Sequence, residues 1–223
     1  MKSLNVVEIF HSIEGEGIRT GMPVTFIRLA GCNLRCSYCD TCYAQNETDG
    51  NLMSIDDIVS KVRFKAVTIT GGEPLLHEDC VIALINKLNE TGHYVNIETN
   101  GSINIMPFVL AVRAGRGFFT VDYKCPSSGM NSEMCDETFL AMDENDVLKF
   151  VVSDDSDISV IRQFLIHHTS FKGTIYVSPC FGKISLEHLV TEVKLLQLKF
   201  PKFDIRFQVQ LHKIVYPVDM RGV

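Results

Sequence analysis

The sequence predicts an α/β fold, a parallel sheet curled into an incomplete β/α barrel, and three observations carry that prediction. β-branched, strand-like runs alternate with amphipathic, helix-like ones, and parallel strands need such crossovers, which are nearly always right-handed. The chain has 223 residues, short of the roughly 250 that an eight-fold barrel typically needs, so six or so units open on one side fit better. The residue types suited to chemistry fall just beyond strands, at the ends where a barrel carries its function.

Strands are read at Val24 to Leu29, Ala66 to Ile69, Tyr94 to Glu98, Phe118 to Asp122, Val147 to Val152, Thr174 to Val177 and Ile205 to Val209. Between them, Ser54 is placed to cap a helix with Asp57 three residues on, and Ile55, Ile58, Val59 and Val62 form its apolar face. Ser185 opens another, in which Leu186, Leu189, Val190, Val193 and Leu196 recur at helical spacing. Further helices are expected from Glu78 to Asn89, Asp136 to Met142 and Ile158 to His167. The polar stretch Pro126 to Glu133 is expected to be a mobile loop near the active face.

Hydrophobic residues make up 46% of the chain, enough for a sizeable core, and residues 1–223 are read as one domain. A net charge of −6 leaves no basic surface of the size that nucleic acid demands, so a small substrate is expected. No stretch has the order of a signal peptide, and no apolar run of about 18 residues could span a bilayer, so a cytoplasmic protein without a membrane partner is expected. Eight cysteines, four of them between Cys32 and Cys42, then read as metal or redox chemistry and not as a disulfide framework. Cys80, Cys125, Cys135 and Cys180 read as small buried hydrophobes, and the histidines show no metal-binding spacing.

In Gly31-Cys-Asn-Leu-Arg-Cys-Ser-Tyr-Cys-Asp40, the thiolates of Cys32, Cys36 and Cys39 can hold three irons of a 4Fe-4S cluster and leave the fourth open for chemistry. Cys42 keeps a second reading alive, a four-Cys set closing a zinc site or an electron-transfer cluster. After the next expected strand comes Thr70-Gly-Gly-Glu-Pro74. Its glycines allow close backbone approach, so amides and carbonyls can meet a ligand's ammonium group, and Glu73 offers a carboxylate. Alone, that segment is equally well a turn from strand to helix.

Together these two motifs closely resemble the radical S-adenosylmethionine (SAM) superfamily, whose core is a partial TIM-like barrel. The run Ser12-Ile-Glu-Gly-Glu-Gly17 with Gly21, Phe26-Ile-Arg-Leu29, Cys39-Asp-Thr41, Ile97-Glu-Thr-Asn-Gly101, Asp122-Tyr-Lys124, Gln210-Leu-His-Lys213 and Arg221-Gly-Val223 resembles the 7-carboxy-7-deazaguanine synthases. The resemblance implies a lyase of queuosine biosynthesis that converts 6-carboxy-5,6,7,8-tetrahydropterin to 7-carboxy-7-deazaguanine with loss of ammonia. The reduced cluster would cleave SAM to a 5′-deoxyadenosyl radical that takes a substrate hydrogen and later recovers it, so no side chain is expected to carry the catalysis itself. It also implies Mg²⁺, a flavodoxin or ferredoxin-type reductant, and a homodimer.

By the same resemblance, Ile13, Glu14 and Gly15 line the pterin through backbone groups and Arg28 faces its carboxylate, as a planar guanidinium fork favours. Thr70 touches the substrate, the Thr41 hydroxyl joins Mg²⁺ to it, and the terminal carboxylate of Val223 reaches it. SAM would be met by Tyr38 beside the adenine, by Gly72 and Glu73 in the amino-group segment, by Asp122, Tyr123 and Lys124, and by Ser178, Pro179, Cys180 and Phe181. Many members carry Gln where Glu14 stands and Ser-Pro where Asp122-Tyr123 stands. Cys42 is expected to pack away from the cluster. Two rivals stay open: an activase that installs a glycyl radical on a partner enzyme, and a non-catalytic iron–sulfur or zinc module.

Overall fold

The computed structural model describes residues 2–217 and 220–223. Among these are the strands β1 (Ser3–Ile13), β2 (Pro23–Leu29), β3 (Asn51–Ser54), β4 (Ala66–Gly71), β5 (Tyr94–Thr99), β6 (Phe118–Tyr123), β7 (Val147–Val152), β8 (Thr174–Pro179) and β9 (Asp204–Phe207). Helices α1 (Ile55–Ser60), α2 (Glu78–Glu90), α3 (Met106–Ala114), α4 (Asp136–Ala141), α5 (Asp155–His167) and α6 (Leu186–Lys199) fill the crossovers, and α7 (His212–Val215) follows β9. The strands form one sheet in the order β3-β1-β2-β4-β5-β6-β7-β8-β9. From β2 through β4 to β9 every neighbouring pair is parallel, while β1 runs antiparallel to both β2 and β3. The sheet does not close, so an incomplete barrel forms.

The expected helix starts are present and have visible causes. Ser54 caps α1 by accepting from the Asp57 N–H at 3.1 Å, and Ser185 caps α6 through the His188 N–H. Helix α5 begins three residues before the expected Ile158, because Asp154 accepts from the N–H groups of Ser156 and Asp157. Four elements go beyond the sequence reading, the short α7 among them. β1 has a bulge between Val6 and Glu8 that breaks its alternation, and β3 is a four-residue edge. α3 has Pro107 in its first turn and an apolar, β-branched sequence that hides helical periodicity.

Alternation along the parallel strands separates two surfaces. Ile27, Ile69, Ile97, Val121, Phe150 and Val177 enter the main core with Leu84, Leu88, Phe108, Ile161 and Leu189 from the helices. The opposite face carries Arg28, Thr70, Glu98, Asp122, Lys149 and Ser178. A closed barrel packs this interior with branched apolar side chains. Here, among the described residues, Val24, Phe26 and Ala66, and Phe118, Val147 and Tyr176, form small apolar clusters within it, and a polar cleft lies above them.

The stretch Pro126 to Glu133, expected to be a mobile loop, forms two 3-10 turns instead. Asn131 Nδ2 donates to the Lys124 carbonyl at 2.8 Å, and Ser128 is buried. Among the described residues no helix is long and apolar enough to cross a membrane.

Candidate active site

The cysteine loop leaves β2 and is fixed first by backbone. Gly31 N–H donates to the Ala44 carbonyl at 2.9 Å, Cys32 N–H to that of Gln45 at 3.0 Å, and Glu73 N–H to that of Gly31 at 2.7 Å. This last contact needs glycine at the neighbouring position, because a Cβ on Gly72 would lie 2.2 Å from the Gly31 oxygen. Leu34 is buried and anchors the loop. Cys32, Cys36 and Cys39 all line the cleft, and Cys42, which is exposed, does not. The Cys32 sulfur lies 3.8 Å from Asn100 Nδ2.

A line of charge crosses the cleft from β6 to β7. Lys124 Nζ is 2.9 Å from Asp122 Oδ2, and Lys149 Nζ is 3.2 Å from Asp122 Oδ1 and 3.0 Å from Glu16 Oε2. Burial works against the charge on Asp122, yet the two ammonium groups hold its pKa below the ordinary value. Burial likewise opposes the charge on Lys149, and Asp122, Glu16 and Glu98 together carry its pKa well above the ordinary one. Glu98 moves the other way, pushed up to about 7 by burial and by the nearby Glu14.

On the β1–β2 side, Arg28 lines the cleft and gives its Nε–H to Glu8 at 2.7 Å, and Glu8 also accepts from the Tyr43 hydroxyl at 2.9 Å. The Arg28 guanidinium lies over the Phe10 ring, and that of Arg221 lies 3.9 Å from the Tyr43 centroid. Thr41 donates to Asp40 at 2.9 Å. Partial burial opposes the Asp40 charge, but Lys213 Nζ at 2.9 Å overcomes it and the pKa falls to about 2. The Glu14 carboxylate is held by Arg19 at 3.1 Å and Thr68 at 2.7 Å, and Glu14 lines the cleft wall beside Ile13 and Gly15. Gly15 packs against His212, so closely that a Cβ there would meet Nδ1 at 2.3 Å.

Of the residues singled out in the sequence, Ile13, Glu14, Gly15, Arg28, Cys32, Cys36, Tyr38, Cys39, Thr41, Thr70, Gly72, Asp122, Lys124, Cys180, Phe181 and Val223 line this one cleft. Four do not. The Tyr123 ring lies among Phe139, Phe150 and Phe164, because strand alternation turns it to the helix side when Asp122 and Lys124 face inward. Ser178 is a brace, its hydroxyl accepting from Gln208 at 2.9 Å and facing Glu16 at 3.4 Å, and Pro179 is buried at the end of β8. Glu73 is wholly buried, and instead of offering its carboxylate to a ligand it accepts from Leu75 N–H at 3.0 Å, Thr99 Oγ1 at 2.8 Å and Asn100 N–H at 2.6 Å. Lys149, Glu16 and Lys213 escaped the sequence reading as site residues. Lys149 carries a visible signal, a lone charge inside the apolar strand Val147-Leu-Lys-Phe-Val-Val152.

Burial pushes the Glu73 carboxyl up to about 7 from an ordinary 4.5, against the pull of its three donors. A carboxyl whose pKa rises on folding favours the folded state fully below the unfolded value and loses that contribution as pH rises through the folded one. The stability of the wild type relative to Glu73→Gln is therefore expected to fall by up to about 3 kcal/mol between about pH 4 and pH 8. Urea denaturation of both proteins across that range measures it, and a difference independent of pH would mean that Glu73 stays ionised in the fold.

The cleft suits a cluster and an adenosyl amino acid on its own geometry. Three thiols open onto it, the Gly71–Gly72 backbone lines it, and the buried Tyr38 hydroxyl has no hydrogen-bond partner among the described residues.

Residues 26–111 match the Radical SAM superfamily. The fold and the thiol-lined cleft thus belong to an enzyme of that superfamily, whose members use an iron–sulfur cluster and SAM. The 7-carboxy-7-deazaguanine synthase of Clostridium acetobutylicum is 42% identical, over 98% of both chains. That of Methanospirillum hungatei is 36% identical, over 95% of this chain and 85% of the relative. This chain belongs to the 7-carboxy-7-deazaguanine synthase family. Its fold is shared with QueE from Escherichia coli at a TM-score of 0.71 and 21% identity, over 92% of this chain and 94% of that one. SuiB of Streptococcus suis, solved with S-adenosylmethionine bound, matches at a TM-score of 0.58 and 18% identity, over 83% of this chain and 50% of that one.

Proposed function

We propose that this chain converts 6-carboxy-5,6,7,8-tetrahydropterin to 7-carboxy-7-deazaguanine, releasing ammonia. The observation that carries the reading is the convergence of Cys32, Cys36 and Cys39 with Arg28 and Thr41 on a single cleft. Cys32, Cys36 and Cys39 would hold the cluster, leaving one iron for the amino acid end of SAM. When bound, cluster and SAM supply a 5′-deoxyadenosyl radical able to take one hydrogen from the substrate.

The chain's own residues bind, orient and shield. Arg28 keeps the outer nitrogens of its fork for the substrate carboxylate while Glu8 fixes its Nε. Thr41, beside Asp40, offers an oxygen to Mg²⁺, a cation that takes few protein ligands and fills its shell with substrate and water. The backbone of Ile13 to Gly15 reads the pterin edge, and Thr70 and Glu98 face it from β4 and β5. Tyr38 meets the adenosyl portion with a buried hydroxyl that lacks a partner among the described residues, and Asp122 faces it from the end of β6. Gln210, His212, Lys213 and residues 220–223 line the cleft and help exclude water and stray hydrogen donors, with Val223 reaching toward the substrate. The same reading takes a homodimer working in the cytoplasm and a flavodoxin or ferredoxin-type electron donor.

The test is anaerobic turnover: reconstituted protein with SAM, dithionite, Mg²⁺ and the tetrahydropterin, followed by mass spectrometry. A deazaguanine carboxylate with little net loss of SAM is expected. SAM cleaved to 5′-deoxyadenosine beside intact pterin would mean the substrate is another molecule, and absence of any cleavage would return the non-catalytic four-Cys module to the front.

A further inference from the structure

The cysteine loop is held at its two ends by different parts of the fold. The Cys32 end rests on Gln45, on the Gly31–Glu73 contact and on Asn100. The other end rests on the turn between β6 and α4. Ser37, between Cys36 and Cys39, donates its N–H to the Ser128 carbonyl at 3.0 Å and its hydroxyl to the Ser127 carbonyl at 2.7 Å. Asp157 ties that turn to α5. One carboxylate oxygen accepts from Ser127 N–H at 3.0 Å, and the other accepts from the Ser127 hydroxyl at 2.5 Å and from Ser153 N–H at 2.8 Å.

Asp157 is 0% exposed, and the partners above are all neutral. Burying a carboxylate in such surroundings is costly unless several donors converge on it. The first turn of α5, where Asp157 sits behind the capping Asp154, favours negative charge. A group installed at that cost fixes the geometry of what it holds, and what it holds is the turn that carries Ser37.

We propose that Asp157 is a positioning residue for the Cys36–Cys39 half of the cluster site, acting through the Ser127–Ser128 turn and Ser37. The inference rests on the reading that Cys32, Cys36 and Cys39 hold the cluster. It predicts an asymmetry that a general loss of stability would not produce, since Cys32 has its own anchors.

The test uses full-length wild type, Asp157→Asn and Ser37→Ala. In the iron-free chains, alkylation of each cysteine by iodoacetamide is timed by peptide mass spectrometry. Cys36 and Cys39 are expected to react several-fold faster in both variants, with Cys32 and Cys80, which lies on α2, unchanged. In the reconstituted proteins, iron release to a chelator is expected to quicken several-fold, and the electron paramagnetic resonance change produced by SAM to shrink. Equal acceleration at every cysteine in Asp157→Asn would signal general unfolding. Ser37→Ala, which removes one hydrogen bond at an exposed position, then decides, and an unchanged Cys36 to Cys32 ratio there overturns the proposal. A wild type that takes up no iron would defeat the cluster reading instead, while the alkylation contrast still judges the positioning.

Discussion

Iron binding is expected to vanish when any one of Cys32, Cys36 and Cys39 is replaced by alanine, and to survive Cys42→Ala at the full wild-type level. The three cysteines line the cleft from one loop, while Cys42 sits outside it at the start of a 3-10 turn and is exposed. A cluster held by three thiolates has no spare ligand, so each loss is complete and not graded. SAM cleavage should fall below detection in the three variants and remain within about twofold of wild type in Cys42→Ala. Iron analysis and 5′-deoxyadenosine production decide the matter. A Cys42→Ala protein that loses iron as badly as Cys39→Ala would replace the open-cluster reading with a closed four-Cys site.

Lys149→Met is expected to have the largest effect on folding. Lys149, 7% exposed, puts its ammonium between Glu16 and Asp122, and removing it leaves Glu16 without its ion-pair partner and Asp122 with Lys124 alone, in a buried place. Breaking a buried pair by deleting one partner costs about 3–5 kcal/mol. Acid should relieve part of that cost. The lowered pKa of Asp122 contributes stability above its unfolded value, near 3.9, and that contribution is lost as pH falls through the lower folded value. Without Lys149 the depression of the Asp122 pKa shrinks, so Asp122 takes up its proton at higher pH in the variant. The gap between wild type and Lys149→Met in urea unfolding should therefore be widest near neutral pH and narrow toward about pH 4. A gap under about 1 kcal/mol at neutral pH would show that water, and not the ammonium, solvates the carboxylates.

The barrel strands were legible because their runs are apolar and β-branched and are punctuated by Gly, Pro and capping residues. The cysteine loop and Thr70 to Pro74 were legible because they are contiguous. β1 was not, since its bulge breaks the period that identifies a strand, nor was α3, whose proline and valines imitate one. Within the site, the misjudged residues share a cause: a motif gives a residue's neighbourhood but not the direction of its side chain. Tyr123 follows Asp122 in sequence and faces the opposite side of the sheet. Glu73 belongs to the glycine segment and bonds behind it. Lys149 belongs to no motif, and its meaning depends on Asp122 and Glu16, brought beside it only by the sheet and the first loop.

The bonds that join the start of the chain to the segment just past β9 also bear on the order of folding. Gly17 N–H donates to Gln208 Oε1 across 191 positions, and Gln210 reaches Glu16 across 194. Closing so long a loop costs entropy before any contact repays it, and topologies rich in such contacts fold slowly. A nascent chain that has not yet reached residue 208 can pair its early strands and present its cysteines, yet the wall that joins the two ends is still missing. Any metal captured at that stage would meet an unsheltered loop, so productive loading of this enzyme belongs after synthesis of its final strand and not during it.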